Sequence, residues 1–270
     1  MQRCKEILAR ARGRTDRGYA VLAARYADFV SIPLADLIVG APLCQNTDIA
    51  MVFWLIVGGG RVILADCGFH RDTFRAHFSI RDYQRPDDVL RQIGIVPRDV
   101  TDIVISHLHW DHVGGIDLFP AARIWLQHEE YRFYGQTRHP EEQGVDPYDL
   151  YQIRSCLNQG RLHLIGGGAI EIIPGIRVFT GGRHTFSSQY LLIDGNPPVV
   201  LASDELYFYP DLQGGRPSVT FEEADASANL LAQAHMSALA GHDGHVVPSH
   251  DPRQFERFPA EGRFAIIREV

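Results

Sequence analysis

The chain has 270 residues, of which 45% are hydrophobic and 22% are charged, so it can bury a substantial core and is not a disordered protein. Its formal net charge of −7 disfavours a general nucleic-acid-binding protein, because such proteins carry a basic surface. The four cysteines lie far apart and form no CxxC pair, which favours reduced thiols over a disulfide framework or a zinc knuckle.

The beginning of the chain bears on its location. No segment reaches the roughly 18 apolar residues that span a bilayer, so we expect no membrane role. The first residues, MQRCKEILARARGRTDRG, are basic and lack the apolar centre of a secretory signal, so we expect a cytoplasmic protein. Residues 1–18 are predicted to form a solvated, partly frayed N-terminal arm. The alternative is an amphipathic helix that packs on a partner subunit, which would give a homodimer.

The first half of the chain has the pattern of β-strands. YAVLAARYADF (residues 19–29) is followed by AMVFWLIV (50–57) and RVILADCG (61–68). Three glycines separate the last two apolar runs, which predicts a β-hairpin. The spacing then becomes helical in RPDDVLRQIGI (85–95), with acidic residues at its start and Gly94 at its end.

Strands and helices alternate through the remainder. DVTDIVISH (99–107) and ARIWLQ (122–127) are predicted strands, and residues 128–160 are helical and irregular. Later strands are predicted in GRLHLIG, AIEIIPGIRVFTGG, SQYLLIDG, PVVLASD and GHVVPSHD. Thr220 and Glu223 form a predicted capping box for the helix before the last of these. The simplest architecture is two sheets packed face to face with helices outside, in one domain.

The stretch SHLHWDHVGG, residues 106–115, concentrates three histidines and one aspartate within six residues. His107 and His109 are two residues apart, so at the end of a strand their side chains point to the same side. Asp111 and His112 follow in a turn, and the two glycines after them permit a tight backbone path. Neutral imidazoles and carboxylates are typical ligands of zinc and related divalent metals, so the stretch predicts a metal site.

Three later residues occupy comparable positions at the ends of apolar segments. His184 follows a strand and a pair of glycines, Asp204 ends VVLASD, and His250 ends VVPSH. Taken singly, such a histidine is more often a surface or core residue than a ligand, and such an aspartate more often caps a helix or forms a turn. Together with the first cluster they favour a site for two metals.

The order HxHxDH, His, Asp, His resembles that of the metallo-β-lactamase-fold hydrolases, and within them the N-acyl homoserine lactonase-like group. The similarity extends from about Tyr19 to Val270, and residues 19–270 are predicted to be the hydrolase domain. It implies an αββα sandwich, in which two mixed β-sheets are flanked by helices. It also implies two divalent metal ions, with Zn²⁺ expected and manganese, iron or cobalt compatible with the same ligands.

The resemblance implies a role for each ligand. Three histidines would hold one metal: His107, His109 and His184. Three residues would hold the other: Asp111, His112 and His250. Asp204 would bridge the two metals. LADCG also resembles the family's LIDTG, which implies that Asp66 supports the site from outside the ligand set. The alternative for Asp66 is a turn-forming role.

The chain departs from the family pattern around His184. Relatives carry HTPGSQ where this chain has HTFSSQ, so Phe186 and Ser187 replace Pro-Gly, and Arg183 replaces a glycine. The histidine ligand is kept, but the sequence does not determine the shape of the loop or of the pocket wall. Four aromatic residues are candidates for an apolar pocket or for the core: Phe69, Trp110, Phe186 and Phe208. His242 and His245 are predicted to be structural or surface residues.

Two metals in this arrangement would share a hydroxide at neutral pH and polarise the carbonyl of an ester, lactone or amide. Asp111 would carry a proton to the leaving group. Tyr207, three residues after Asp204, matches a tyrosine of the lactonases and would donate a hydrogen bond to the carbonyl oxygen as it becomes anionic. The alternative is that Tyr207, within LYFYP, only packs against the core.

The predicted function is therefore a dinuclear lactonase of the quorum-quenching kind, acting on a small-molecule lactone or ester. An organophosphate triesterase or another ester or amide hydrolase is the alternative, since the same site would serve it. Asp204 as a bridge disfavours a true β-lactamase, the short chain after His250 disfavours a glyoxalase-II-like thioesterase, and the acidic charge disfavours a nuclease. Two further alternatives belong to other classes. One is a flavin-linked di-iron protein, which is disfavoured because such proteins usually have glutamate in place of His109, and the other is a non-catalytic scaffold.

Overall fold

A computed structural model describes residues 1–14, 18–72 and 75–270. Within these residues, nine strands form a first sheet: β1 (Ala20–Pro33), β2 (Asn46–Gly58), β3 (Arg61–Ala65), β4 (Ser79–Arg81), β5 (Asp102–Val104), β6 (Arg123–Gln127), β7 (Leu162–Ile165), β13 (Ala260–Glu261) and β14 (Phe264–Arg268). Five more form a second sheet: β8 (Ile170–Ile173), β9 (Ile176–Thr180), β10 (Gln189–Ile193), β11 (Val199–Leu201) and β12 (His245–Val247).

The helices of the described residues are α1 (Gln2–Arg12), α2 (Pro86–Arg91), α3 (Trp110–Val113), α4 (His128–Gln136), α5 (Pro147–Asn158), α6 (Tyr209–Gly214), α7 (Ala226–Ala240) and α8 (Gln254–Arg257). Within the ranges described, no helix combines the length and the apolar character needed to cross a bilayer. The cytoplasmic location and the homodimer remain predictions.

Both sheets are mixed. The first has the order β13-β14-β1-β2-β3-β5-β6-β7, with β4 paired to β1. Its strands β1, β2 and β3 are antiparallel neighbours, whereas β3, β5, β6 and β7 run parallel. The second has the order β12-β11-β10-β9-β8, in which only the β11–β12 pair is parallel among the described strands.

The alternation of side chains along β2 shows how the layers form. Trp54 and Ile56 point into an apolar layer between the two sheets, which they share with Leu191 and Val247 of the second sheet. Phe53 and Leu55 point to the opposite face, where α1 and α2 contribute buried residues. Successive residues of a strand face opposite sides, so a strand buried on both faces is apolar at every position.

A third apolar layer covers the outer face of the second sheet. Tyr190 and Val200 of the sheet pack there against Ala232 and Met236 of α7. Three apolar layers separate helix, sheet, sheet and helix, so the predicted αββα sandwich is confirmed.

The predicted hairpin is also confirmed. Gly58 of β2 pairs with Arg61 of β3, and Gly59 and Gly60 form the two-residue turn. Their φ angles are +56° and +71°, which suits the type of turn that matches the twist of antiparallel strands. Glycine adopts such angles without the steric cost of a Cβ atom.

The expectation of a solvated N-terminal arm is wrong for the part that the structure describes. Residues 2–12 form α1, whose apolar face, including Cys4 and Ile7, is fully buried in the core of the same chain. Arg3 and Arg10 of α1 both pair with Glu269. Residues 15–17 of the predicted arm lie outside the described residues, and the domain boundary at residue 18 remains a prediction.

Two local expectations also differ from the structure. The strand predicted over residues 99–107 is confined to Asp102–Val104, so the first histidine cluster begins beyond it. The capping box of Thr220 and Glu223 is wrong, because α7 begins at Ala226 after a 3₁₀ turn. The Thr220 hydroxyl donates instead to the Glu222 carbonyl at 2.8 Å.

Candidate metal centre

The topology brings distant parts of the chain to one edge of the sandwich. In the first sheet β3 and β5 are parallel, so the residues that follow them, including Asp66, leave at the same edge. In the second sheet β9, β11 and β12 run in one direction, so the residues that follow these three strands also share an edge. Ligands of α/β proteins commonly bind beyond the carboxyl ends of strands for this reason.

All seven predicted ligands lie together in this place. Their candidate ligand atoms form two groups, each with its atoms within 4.8 Å of one another. One group contains His107, His109, His184 and Asp204, and the other contains Asp111, His112 and His250. His107 and His109 are not at a strand end as expected. They lie in the loop after β5, and His109 is the N-cap of α3.

Asp204 lies between the two groups. Its Oδ1 is 3.3 Å from Nε2 of His112 and 3.2 Å from Nε2 of His250. Its Oδ2 is 3.5 Å from Nε2 of His184. One carboxylate oxygen therefore faces each group, which is the arrangement expected of a bridging ligand.

The histidine rings are oriented by hydrogen bonds on the nitrogen opposite the site. The Nδ1 atoms bond to the Asp66 carboxylate at 2.8 Å for His112, to the Val219 carbonyl at 3.0 Å for His184, to the Ala50 carbonyl at 3.0 Å for His250 and to the Ser106 hydroxyl at 2.9 Å for His107. His109 has the reverse orientation, since its Nδ1 lies 3.1 Å from Nε2 of His184. In the first four rings, the hydrogen bond on Nδ1 leaves Nε2 directed toward the site, where it can ligate a metal.

The buried polar atoms at the centre test whether metal ions fit. Nε2 of His107, Nε2 of His112 and Oδ1 of Asp204 are buried and have no partner with hydrogen-bond geometry among the described residues, although Oδ1 of Asp204 lies close to Nε2 of His112 and of His250. Buried polar atoms are normally paired, because leaving them unpaired is costly. Buried imidazole nitrogens and a carboxylate oxygen gathered in this way fit divalent metal ions such as zinc.

Protonation in the two groups differs. Burial and the neighbouring imidazoles lower the pKa of His107, and burial lowers the pKa of His109 and His184, so these three rings are neutral as metal ligands must be. Burial also acts to lower the pKa of His112 and His250, but the carboxylates of Asp204 and Asp111 outweigh it and raise the pKa of both.

Asp66 contacts the ligands as the resemblance implied. Its Oδ1 accepts the Ser106 N–H at 2.7 Å, and its Oδ2 accepts from the Ser106 hydroxyl at 2.8 Å as well as from His112. Asp66 has a φ of +59°, which is a left-handed backbone conformation that is unfavourable for most residues other than glycine. The carboxylate therefore orients the His112 ring and restrains the segment that begins the histidine cluster.

Tyr207 and Asp111 border the same centre. The Tyr207 hydroxyl donates to Oδ2 of Asp204 at 2.9 Å, and its ring lies against His250 with centroids 5.6 Å apart. Burial raises the pKa of Tyr207 well above its ordinary value, so the phenol keeps its proton. The Asp111 side chain is 15% exposed, against 2–4% for His112, His250 and Asp204.

An apolar cavity of about 220 Å³ opens beside the centre. Its apolar wall includes Phe29, Ile32, Leu37, Met51, Phe78 and Trp110, and its polar end includes Asp111, Asp204 and Tyr207. Of the four aromatic candidates, only Trp110 lines this cavity. Phe69 packs behind Trp110 with ring centroids 4.6 Å apart, and Phe186 stacks on Phe133 at 4.2 Å. Phe208 is a core residue.

The departures from the family pattern form one structure around His184. Arg183 has a φ of +57°, at the position where the resemblance implied a glycine. Its Nη1 donates to the Phe186 carbonyl at 2.8 Å, and its Nε donates to Asp225 at 3.1 Å. The arginine and the Phe186–Phe133 stack therefore brace the loop at the positions where this chain departs from the pattern that the resemblance implied.

Two carboxyl groups beside the ligands were missed by the sequence analysis. Glu130 and Glu205 are fully buried, and burial raises the pKa of Glu130 to about 7 and that of Glu205 to about 8. Glu205 accepts from Ser188 and Asn229. Neither glutamate belongs to a motif, so no local pattern identifies them. His242 and His245 lie outside both ligand groups, as predicted.

The family is shown by comparison with known proteins. The family model of the metallo-β-lactamase superfamily matches residues 52–250, which is more than half of the chain. The protein therefore belongs to the metallo-β-lactamase superfamily.

Two relatives share part of the sequence. An N-acyl homoserine lactonase of a Bacillus species is 28% identical over 145 residues, which are 53% of each chain. The N-acyl homoserine lactonase AiiB of Agrobacterium fabrum is 29% identical over 128 residues, or 44% of this chain and 45% of that protein. The aligned chain thus spans about half the length of the curated relatives it matches.

Solved structures extend the likeness to most of the chain. A quorum-quenching N-acyl homoserine lactone lactonase has a TM-score of 0.72 at 18% identity, covering 91% of this chain and 97% of that one. AiiA of B. thuringiensis with N-decanoyl-L-homoserine bound, in a mutant form, has a TM-score of 0.70 at 18% identity, covering 88% and 95%. At these identities the likeness shows a common fold.

Proposed function

We propose that this protein is a dinuclear metal-dependent hydrolase that opens a lactone ring. The observation that carries the proposal is the pair of ligand groups that share Asp204 at the polar end of an apolar cavity. The relatives named as N-acyl homoserine lactonases support the lactone as substrate class.

The metal ions fit the residues present. Neutral His107, His109 and His184 would hold one ion, His112 and His250 with Asp111 the other, and Asp204 both. When bound, two divalent ions, with zinc expected, supply an activated water and a Lewis acid for the carbonyl of the substrate.

Tyr207 binds and orients the substrate in this proposal. Its hydroxyl lies 2.9 Å from Asp204 and borders the cavity, so it can turn from that carboxylate to a carbonyl oxygen. A hydrogen bond that strengthens as this oxygen becomes anionic favours the transition state over the ground state.

Asp111 is the ligand best placed to move a proton. Its carboxylate lines the cavity and is more exposed than Asp204, His112 and His250. It would accept the proton that the attacking water releases and deliver it to the alcohol oxygen that departs when the ring opens. The apolar wall around Trp110 and Met51 would exclude water and hold the alkyl or acyl part of the lactone.

The test is a substrate panel with zinc-loaded protein. We expect acid release from N-acyl homoserine lactones and simple lactones, followed with a pH indicator, and we expect His109→Ala to abolish it. His242→Ala is the matched control, because the side chain of His242 is 99% exposed and remote from the ligands. Zinc-loaded protein that releases acid from no lactone contradicts the proposal.

An organophosphate triesterase is the second candidate. The same ligands and the same apolar cavity would accept a neutral phosphotriester with apolar substituents. Paraoxon hydrolysis measured beside the lactone panel distinguishes the two, and a higher kcat/KM for paraoxon than for every lactone would favour the triesterase.

A further inference from the structure

Glu130 is a carboxylate enclosed by the protein and surrounded by hydrogen-bond donors. It lies in the first turn of α4 and is fully buried. Its Oε1 accepts the Leu108 N–H at 3.1 Å and the Thr185 hydroxyl at 2.7 Å, and its Oε2 accepts the Ser187 N–H at 2.7 Å. Each of these bonds pairs a donor with the buried carboxyl group, so loss of that group would leave the three donors without this partner.

The donors belong to the two loops that carry one ligand group. Leu108 stands between His107 and His109, and Thr185 directly follows His184. Each of these three histidines is therefore a chain neighbour of a residue bonded to Glu130. The two loops are far apart in the sequence, because Leu108 lies 22 residues before Glu130 and Ser187 lies 57 residues after it.

The other ligand group is oriented by different atoms. His112 donates to Asp66 at 2.8 Å, and His250 bonds to the Ala50 carbonyl at 3.0 Å. Among the described contacts of Glu130, none involves a direct chain neighbour of His112 or His250. Glu130 thus contacts the loops of the three-histidine group alone, whereas Asp66 contacts His112 directly and His107 through Ser106.

We propose that Glu130 is the positioning residue of the three-histidine half of the centre, clamping the His107–His109 and His184 loops at the spacing that one metal ion requires. The inference rests on the metal centre of the proposed function. Glu130 touches neither substrate nor metal in this role. A carboxyl group suits the position because both of its oxygens can accept, whereas the amide of glutamine would direct its own N–H groups toward at least one of the three donors.

The experiment measures metal binding of Glu130→Gln by chelator competition with zinc and by the visible spectrum of the cobalt-loaded protein. We expect one of the two zinc affinities to weaken roughly 10- to 100-fold, as is typical when a group supporting metal ligands is lost. The cobalt spectrum should change for one site only. Glu129→Gln is the matched control, because the adjacent Glu129 is exposed and pairs with Arg132 and His128; it should bind both metals as the wild type does.

Two zinc ions bound by Glu130→Gln with wild-type affinities would overturn the inference, and so would an equal weakening of both sites. If Glu130→Gln does not fold, Thr185→Val decides, since it keeps the side-chain shape and removes one donor. We then expect one zinc site to weaken about 3- to 10-fold, and wild-type affinity at both sites would overturn the inference. Wild-type protein that binds two zinc ions and opens no lactone contradicts the proposed function while leaving this test readable.

Discussion

The hydroxyl of Tyr207 donates a hydrogen bond of 2.9 Å to Oδ2 of Asp204, the carboxylate that lies between the two ligand groups. The same hydroxyl borders the cavity proposed to receive substrate. Tyr207 therefore contacts the centre without belonging to the ligand set, and its contribution to the reaction can be separated from metal binding.

Replacing Tyr207 with phenylalanine tests that separation. We expect Tyr207→Phe to keep two metals and to lower kcat for lactones by about 10²-fold, because it removes one donor to the developing oxyanion. Steady-state kinetics with metal analysis measures both. Tyr209→Phe is a suitable control, since that hydroxyl is buried and has no hydrogen bond among the described residues. An unchanged kcat in Tyr207→Phe would leave the residue a packing role only.

Asp66 provides the complementary test of the second ligand group. The two carboxylate oxygens of Asp66 accept hydrogen bonds from Ser106 and His112. Asp66→Asn replaces one of these oxygens by an NH₂ group, which donates hydrogen bonds. We expect the zinc affinity of the half containing His112 to weaken roughly 10- to 100-fold, observed by chelator competition, with a smaller loss in the other half because Asp66 also bonds Ser106, which contacts His107. Asp88→Asn, at a side chain that is 60% exposed, should bind zinc as the wild type does. Wild-type zinc binding by Asp66→Asn would show that Asp66 only forms the turn.

Removal of metal should destabilise the fold. The centre contains buried imidazole nitrogens and a carboxylate oxygen without hydrogen bonds among the described residues, and metal ions would pair them. Free zinc at 100 times its Kd should raise the free energy of unfolding by about 2.7 kcal/mol per site, provided that the unfolded chain does not bind it. Thermal melting with zinc and with a chelator measures the effect. Identical melting temperatures in the two conditions would argue against a metal centre.

Asp149 should make stability depend on pH. Its Oδ1 accepts from Arg71 at 2.6 Å, while burial raises its pKa to about 7. The ordinary pKa of an aspartate is about 3.9, so between these values the folded state keeps a proton that the unfolded chain releases. The contribution of Asp149 to stability is therefore greatest at low pH and is lost as pH rises toward 7.

Asp149→Asn should reduce that dependence. We expect the difference in unfolding free energy between pH 5 and pH 8, measured by urea denaturation, to shrink by at most about 2.7 kcal/mol relative to the wild type, because only the part of this range from pH 5 to about 7 lies below the raised pKa of Asp149. Asp88→Asn again serves as the exposed control. The same pH dependence in Asp149→Asn and wild type would contradict the assignment of this titration to Asp149.

Local patterns predicted much of the architecture. The apolar runs of β2 and β3 and the glycines between them indicated a hairpin before any contact was known, because turn glycines and strand periodicity are local properties. The capping box at Thr220 failed for the opposite reason. The motif is short and does not fix where a helix begins. The first residue of α7, Ala226, depends on how this helix packs on the second sheet.

The packing of α1 also depended on tertiary contacts. A basic segment with a few apolar residues is compatible with a free arm or a docked helix, and its own periodicity does not distinguish them. The surface that buries Cys4 and Ile7 is formed by residues much later in the chain and by the first sheet. The pairing of Arg3 with Glu269 joins positions 266 residues apart.

By itself, the sequence determined which chemistry was available: seven imidazole and carboxylate side chains in an order typical of one superfamily, in segments that follow strands whose periodicity predicts two packed sheets. These are properties of residue type and short spacing. Only the tertiary structure decided which nitrogen each ring offers, which aromatic residues line the cavity and which buried carboxylates support the loops. His250 is oriented by the carbonyl of Ala50, 200 residues away, and Glu130 joins two loops that no local pattern relates. Such contacts arise when sheets pack, so the physical information that specifies them is distributed over the whole chain.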